Sequence, residues 1–209
     1  MGNTGDRRPI AARGLPPVVA TAEWLVRRGA SPDAISLAGM AAAIGAGLAF
    51  AGAGGPGFAS SALWLLGALG VQARLMANLL DGMVALGRGV ASPVGELFNE
   101  VPDRVSDTAV LLGLGWAAGS AALGLAAALA AMATAYVRGV GRGLGLPSDF
   151  SGPMAKQHRM AAATGMAVLC AVAPGWSGVV LVWGLWAITA LSVLTAARRL
   201  LRIAQALRA

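Results

Sequence analysis

Apolar residues run along this chain in long stretches without charge, separated by short segments rich in glycine and proline. Residues 34–53, 108–137 and 177–197 contain no Asp, Glu, Lys or Arg. As a helix, each stretch is long enough to cross a bilayer core of about 30 Å. The pattern therefore predicts an all-α integral membrane protein.

Capping and turn residues divide the chain into helices. Ser31-Pro32 and Ser92-Pro93 each place a capping hydroxyl before a proline, which is favoured at the first helical position. The stretch 108–137 is too long for one span, and Gly119-Ser120 is the expected break. Glycine and proline in residues 141–154 indicate a loop. The six predicted spans cover residues 33–52 and 58–87, the segment from Pro93 to the break, and residues 121–140, 156–172 and 178–199.

The segment before the first span has a different pattern. In residues 16–28, apolar side chains recur at helical spacing beside Trp24, Arg27 and Arg28. This is typical of an amphipathic helix that lies in the membrane interface. We therefore divide the chain into residues 1–30, a cytoplasmic tail with this interfacial helix, and residues 31–209, a six-helix transmembrane domain.

Charge is sparse and unevenly distributed. Only 12% of the residues are charged, about half the share in an ordinary soluble domain. The net charge of +7 does not indicate nucleic-acid binding, because Lys and Arg collect at every second turn between the spans, whereas residues 53–57, 118–121 and 173–177 contain none. This predicts a multi-pass protein of the cell (inner) membrane, with both termini and the active site cytoplasmic. No signal-peptide pattern precedes the first span, so no removable leader is expected.

Polar residues that are costly at membrane depth concentrate in two of the predicted helices. Asn78 and Asp81 are three residues apart on one helix, so they lie on one face. Asn99, Asp103 and Asp107 are spaced by four on the next helix and also share a face. Ionisable side chains in membrane helices mark functional sites. Five of the nine acidic residues lie in this region: Asp81, Glu96, Glu100, Asp103 and Asp107.

The residue types in this region indicate a hard metal ion. Carboxylate and amide oxygens are the ligands that Mg²⁺ and Mn²⁺ prefer in proteins. The chain has one histidine, His158, and one cysteine, Cys170, which argues against a zinc centre. The sequence therefore predicts a Mg²⁺ or Mn²⁺ site between the second and third spans.

The spacing of these residues resembles the signature of the CDP-alcohol phosphotransferase family, D-x-x-D-G-x-x-A-R followed after eight or nine residues by G-x-x-x-D-x-x-x-D. The chain has N-L-L-D-G-M-V-A-L from Asn78 and G-E-L-F-N-E-V-P-D from Gly95, with eight residues between the two runs. The register therefore fits without a gap. Residues 31–36 also resemble the proline-containing segment that opens the first span in this family.

The resemblance implies six transmembrane helices, usually in a homodimer. It also implies transfer of a substituted phosphate group from a CDP-linked donor to an alcohol, with release of CMP. In the family, the first three aspartates mainly hold divalent metal and the fourth is the proposed base for the incoming hydroxyl, so Asp103 is the implied catalytic base. The implied metal ligands are Asn78, Asp81, Asn99 and Asp103, and the implied contacts to the CDP moiety are Asp81, Gly82, Ala85 and Gly95.

The chain departs from the family signature at three positions. Asn78 and Asn99 replace the first and third aspartates, so a site meant for two divalent ions loses half of its four compensating charges. Asp107, one turn beyond Asp103, is a further candidate metal ligand that would restore one charge, and Glu96 or Glu100 would restore another. The motif arginine is replaced by leucine, and Arg88 or Arg74 would take its place, with Arg88 the expected CDP contact. The run N-E-x-x-D-x-x-S-D from residue 99 resembles a divergent branch of the family.

The other dense group of polar residues precedes the fifth span. Lys156 and Arg159 near a helix N-terminus, together with Arg138, are candidate ligands for a phosphate of the acceptor. Anchoring at the cytoplasmic interface is the alternative for all three. The resulting hypothesis is an enzyme of phospholipid synthesis that uses CDP-diacylglycerol and a small alcohol. A non-catalytic membrane protein that binds nucleotide or lipid is the alternative, and a small transporter is a third.

Overall fold

The structure is a computed structural model that describes residues 11–54, 57–90 and 93–208. These residues form helices joined by short turns, so the all-helical prediction is confirmed. Residues 1–10 of the predicted tail, the Gly55-Pro56 turn and Ser92 lie outside the described residues. The helices are α1 Pro16–Arg27, α2 Pro32–Gly52, α3 Phe58–Gly87, α4 Pro93–Ala117, α5 Ala121–Gly143, α6 Lys156–Val172 and α7 Ser177–Ala206, with 3₁₀ turns at Ala11–Gly14 and Pro174–Trp176.

Capping residues set the helix boundaries where the sequence predicts them. The Ser31 hydroxyl accepts a hydrogen bond from the Ala34 amide at 3.4 Å and begins α2. The Ser120 hydroxyl does the same for the Leu123 amide at 3.3 Å, directly after Gly119 with a φ of 74°. The break between α4 and α5 is therefore a left-handed glycine followed by a new cap.

Four segments are long and apolar enough to cross a membrane: Pro32–Gly52, Ala59–Gly87, Ala121–Gly143 and Pro174–Ala206. The other two predicted spans correspond to α4 and α6. The first half of α4 is polar, and α6 has only 17 residues and begins with Lys156. The chain is therefore a helical membrane protein with four apolar spans in its described part, and the count of six stays a prediction.

Helix α2 lies at the centre of the packing that forms the site. It packs against both α3 and α4, while α3 and α4 touch each other little. On the other side α5 packs against α4 and α7, and α6 packs against α3 and α7. Side chains from α3 and α4 therefore meet beside α2, across a gap that their backbones leave open.

Small residues allow α2 and α4 to approach closely. A Cβ built on Gly47 would lie 2.3 Å from the carbonyl oxygen of Ala109, and one on Gly113 would lie 2.2 Å from the carbonyl oxygen of Gly47. Such contacts between small residues are the usual way in which membrane helices pack backbone against backbone. The close contacts at Gly47 and Gly113 fix α4 against α2, within two turns of Asp107.

Helix α1 lies against the C-terminal half of α3. Val18 and Ala22 are buried and form an apolar cluster with Leu79 and Leu80 of α3. On its other face Trp24 is 49% exposed, and the Arg28 guanidinium lies 5.2 Å from the centre of its ring. One face of α1 is thus packed against α3, and the amphipathic interfacial helix expected from the sequence stays a prediction.

Candidate active site

Asp81 lies on the face of α3 that packs against α2. Its side chain accepts a hydrogen bond from the Ser36 hydroxyl at 2.6 Å and one from the Gly82 amide at 2.6 Å. Only 4% of the residue is exposed. The residue that begins the second turn of α2 therefore fixes the orientation of this carboxylate.

Asp103 projects from α4 into the same space and is surrounded by donors. Its Oδ1 accepts hydrogen bonds from Arg74 Nη2 at 2.5 Å, from Asn78 Nδ2 at 2.9 Å and from Lys156 Nζ. Its Oδ2 lies 3.5 Å from the guanidinium of Arg104. Three helices thus converge on one carboxylate, and cations from α3 and α6 pair with it.

Arg74 connects Asp103 with Asp81. Its Nη1 donates to the Ser36 carbonyl oxygen at 3.1 Å, and the hydroxyl of the same serine holds Asp81. The arginine is only 1% exposed, and Gly39 of α2 leaves room for it because a Cβ there would lie 2.8 Å from Nη1. The sequence offers Arg74 as a stand-in for the motif arginine, and the structure brings it into the site.

Asp107 and Arg159 form a buried ion pair one turn deeper. Arg159 Nη2 donates to Asp107 Oδ2 at 2.5 Å, and the two side chains are 2% and 4% exposed. Arg159 also donates to the Met154 carbonyl oxygen at 3.3 Å. This geometry favours a structural pair. The metal role predicted for Asp107 and the phosphate role predicted for Arg159 stay predictions.

The oxygens beside Asp81 suit a divalent cation. Asn78 uses its amide nitrogen on Asp103, and its Oδ1 is buried without a hydrogen-bond partner among the described residues. A buried acceptor without a donor costs free energy, which a cation ligated there would recover. No three His, Cys, Asp or Glu side chains in the described ranges could together hold a metal ion. The donor set therefore depends on Asn78 beside Asp81, with Asn99 half-buried on α4.

The residues predicted to contact CDP fall into two groups. Gly82 and Ala85 are half-buried on α3, and a Cβ built on Gly82 would meet no atom within 4 Å. Packing therefore does not require glycine there, and open space borders Asp81. Gly95 is half-buried in the first turn of α4. Arg88, in contrast, is exposed and donates to the Ala30 carbonyl oxygen at 2.7 Å, which ties the end of α3 to the turn before α2.

A second group of charged residues forms the rim of the site. Arg138 of α5 pairs with Glu100 of α4, and its guanidinium lies 5.1 Å from the centre of the Phe150 ring. Arg104 lies 3.6 Å from the other Glu100 oxygen. The Glu100 side chain is 54% exposed, so water reaches this group. The side chain of Glu96 lies outside the described residues.

The loop between α5 and α6 is held by two arginines of α7. Arg199 is buried and donates to the carbonyl oxygens of Ser151 and Thr134, each at 2.8 Å. Arg202 donates to Asp149 at 2.9 Å. Burial alone would raise the pKa of Asp149, but hydrogen bonds from Ser151 and Arg202 outweigh it, and the pKa is lowered. These contacts position the loop that leads into Lys156.

Two contributors to the site are missing from the sequence prediction. Ser36 belongs to the proline-containing segment that resembles the family, which was a usable signal for it. Arg199 is one of a run of basic residues at the end of α7, where interface anchoring is the default interpretation. Nothing in the sequence distinguishes it from its neighbours, because its role depends on a contact 48 residues away with Ser151.

Comparisons with known proteins find relatives that share one name. The chain is 27% identical to the phosphatidylinositol phosphate synthase of Streptomyces avermitilis over 199 aligned residues. The alignment covers 87% of this chain and 75% of that protein. The enzyme of the same name from Mycobacteroides abscessus is 33% identical over 136 residues, 61% of this chain and 58% of its own length. No protein-family model matches the chain. The motif register, now seen to converge on one site, agrees with these relatives.

The chain is therefore similar to phosphatidylinositol phosphate synthases, in agreement with the resemblance of its motif to that of the CDP-alcohol phosphotransferase family. Solved structures of such an enzyme share the fold of this chain. The phosphatidylinositol phosphate synthase of Mycobacterium tuberculosis with CDP-DAG bound has a TM-score of 0.73 at 24% identity, over 89% of this chain and 92% of that one. The same protein in complex with manganese and citrate also has a TM-score of 0.73, over 89% and 88% of the two chains. Manganese, the metal of that complex, is one of the two cations predicted here from the ligand types.

Proposed function

We propose that this chain transfers the phosphatidyl group of CDP-diacylglycerol to a hydroxyl of a phosphorylated polyol, with inositol phosphate the first candidate, and releases CMP. The observation that carries the proposal is the convergence of Asp81, Asn78 and Asp103 beside α2, in the motif register. The relatives' name, phosphatidylinositol phosphate synthase, supports the acceptor, and the solved structure of such an enzyme with CDP-DAG bound supports the donor.

The chemistry assigned to the site is a single displacement at phosphorus. The acceptor oxygen attacks the phosphate attached to diacylglycerol, the bond to the CMP phosphate breaks, and CMP leaves with the electron pair. The acceptor proton passes to Asp103, whose Oδ2 is the oxygen not engaged by Arg74, Asn78 and Lys156. A divalent cation held by Asp81 and Asn78, with Asn99, would neutralise the diphosphate.

The acceptor's phosphate is assigned to the basic rim. Lys156 and Arg138 border the same space from α6 and α5, and Arg104 lies between them on α4. Each already contacts a carboxylate, so an incoming phosphate competes with Glu100 or Asp103 for these cations. A phosphorylated acceptor fits such a rim better than a neutral alcohol does, because it replaces one anion with another.

We also propose that α4 and α6 complete six spans, that α1 lies at the interface, and that both termini and the site face the cytoplasm of the inner membrane. The packing of α4 between α2 and α5, and of α6 between α3 and α7, supports the count. The charge asymmetry of the turns supports the orientation. A homodimer is proposed from the family alone.

The first experiment measures CMP release by the purified protein in lipid nanodiscs. CDP-diacylglycerol and Mn²⁺ or Mg²⁺ are supplied with inositol phosphate, glycerol 3-phosphate, serine, inositol or glycerol. We expect release that needs the metal and a phosphorylated acceptor. Asp103→Asn should lower the rate by about two to four orders of magnitude, the usual share of a general base. Glu23→Gln, at a carboxylate of α1 whose side chain is 63% exposed, is the matched control and should retain activity.

The outcomes are distinct. Release with a neutral alcohol would contradict the acceptor assignment. Full activity in Asp103→Asn would show that the base is elsewhere. Binding of CDP-diacylglycerol without CMP release from any acceptor would support the non-catalytic alternative and overturn the proposed function.

A further inference from the structure

Asn78 and Asn99 remove two negative charges from the site, which is the charge that one divalent cation would balance. We infer that the site binds a single divalent cation, and that the positive charges of Arg74 and Lys156 at Asp103 replace those of a second cation. This rests on the proposed function, because it concerns the cation that accompanies the CDP-linked donor. It departs from the two-ion site that the four-aspartate motif implies.

The motif of this chain lacks two negative charges. Asn78 and Asn99 stand where the family signature has aspartate, so two negative charges are absent from the motif. Two negative charges are what one divalent cation neutralises. A second cation would therefore enter a site without the anions that compensate it, and a buried uncompensated charge is strongly unfavourable.

The chain itself supplies positive charge beside Asp103. Arg74 and Lys156 both donate to Asp103 Oδ1, and their side chains are 2% and 14% exposed. Together with Asp81 and Asp103 they form a group of four charged residues with no net charge. One divalent cation and the two charges of a CDP diphosphate leave this group neutral. A second cation would leave a surplus of two positive charges in a largely buried site.

The oxygen atoms near Asp81 and Asp103 differ in how many hydrogen bonds they already accept. Asp103 Oδ1 already accepts three hydrogen bonds, whereas Asn78 Oδ1 is buried without a partner among the described residues. Asn78 and Asp81 lie three residues apart on one face of α3. Asn78 Oδ1, near Asp81, is thus available to a cation, whereas Asp103 Oδ1 is occupied by donors from Arg74, Asn78 and Lys156. Asp107 Oδ1, one turn deeper, also lacks a hydrogen-bond partner in the described structure, but it belongs to a carboxylate that Arg159 neutralises.

Neighbouring acids whose side chains are described do not restore the missing charge. Asp107 is neutralised by Arg159 at 2.5 Å. Glu100 pairs with Arg138 at the exposed rim and lies 3.6 Å from Arg104. Of the three acids that the sequence offered as replacements, Asp107 and Glu100 are therefore balanced by their own arginines, and the side chain of Glu96 lies outside the described residues.

The test counts Mn²⁺ ions per protomer in the full chain in nanodiscs, with CDP-diacylglycerol present. Equilibrium dialysis gives the stoichiometry, and electron paramagnetic resonance separates an isolated Mn²⁺ ion from two coupled ions. We expect one Mn²⁺ per protomer with an uncoupled spectrum. In Asn78→Asp/Asn99→Asp we expect two ions and a coupled spectrum. Gln157→Glu is the control, because it adds a carboxylate at an exposed position of α6 and should keep one ion.

Two coupled ions in the unchanged chain would overturn the inference, and so would a chain that binds none. An Asn78→Asp/Asn99→Asp variant that folds and still binds one ion would also contradict it. The count does not depend on turnover. One bound Mn²⁺ without CMP release from any acceptor would refute the proposed function and leave the single-ion inference standing.

Discussion

The buried pair Asp107–Arg159 allows a prediction whose size follows from its geometry. The two side chains are 4% and 2% exposed, and 2.5 Å separates Asp107 Oδ2 from Arg159 Nη2. Asp107→Asn keeps the shape of the side chain but leaves a guanidinium buried without its counter-ion. Removing one partner of such a pair costs about 3–5 kcal/mol of the free energy of unfolding. Exposed pairs seldom contribute more than about 1 kcal/mol.

The double variant Asp107→Leu/Arg159→Met separates a structural pair from a metal ligand. Replacing both ions with apolar side chains removes the buried charges together, so its free energy of unfolding should recover most of the loss. If the pair only positions α4 against α6, a loss of Mn²⁺ binding in Asp107→Asn should be reversed in the double variant. If Asp107 ligates the metal, as the sequence suggested, Mn²⁺ binding should stay weak in a stable protein.

The assay follows tryptophan fluorescence while the protein unfolds in mixed micelles of mild detergent and SDS, and Mn²⁺ titration follows binding. Asp149→Asn is the control for stability, because its partner Arg202 is 57% exposed and the loss should be small. A single variant as stable as the unchanged chain would refute the reasoning. A double variant no more stable than Asp107→Asn would do the same.

Two further predictions use matched pairs of substitutions. Ser36→Ala removes the donor to Asp81 and should weaken Mn²⁺ binding by about 10- to 100-fold in a titration. Ser192→Ala, at a buried hydroxyl without a partner in the described structure, should not, and equal affinities would refute the positioning role of Ser36. Gly47→Ala places a Cβ 2.3 Å from a backbone oxygen of α4 and should lower the free energy of unfolding by about 1–3 kcal/mol. Gly45→Ala meets nothing within 4 Å and should be tolerated, so a similar loss in both variants would contradict the close approach.

Helix boundaries follow from the sequence because local chemistry sets them. Serine before proline begins α2, and a left-handed glycine followed by a capping serine separates α4 from α5. The end of α7 was less predictable. It continues to Ala206, seven residues past the predicted end at Arg199, because nothing in Leu200–Ala206 breaks a helix.

Partners within the site did not follow from the sequence. The spacing of Asn78 and Asp81 predicts a shared face, but not that Asn78 donates to Asp103 and leaves its own oxygen free. Arg74 was recognisable as an ionisable residue inside an apolar span. That it reaches α4 depends on the room left by Gly39 of α2. Such contacts depend on how three helices pack together, and no local pattern encodes that.

The two ion pairs between α4 and α6 depend on each other through helical geometry. Lys156 and Arg159 are three residues apart on α6, and Asp103 and Asp107 are four apart on α4, so a single register of the two helices aligns both pairs. The backbones of α4 and α6 touch little, so long side chains set the distance between them. The deeper pair is almost fully buried and is the costlier one to break. The Asp107–Arg159 pair therefore holds α6 in the position where Lys156 contacts Asp103. Apolar side chains at 107 and 159 that keep the same register of α4 and α6 should keep the Lys156–Asp103 contact as well.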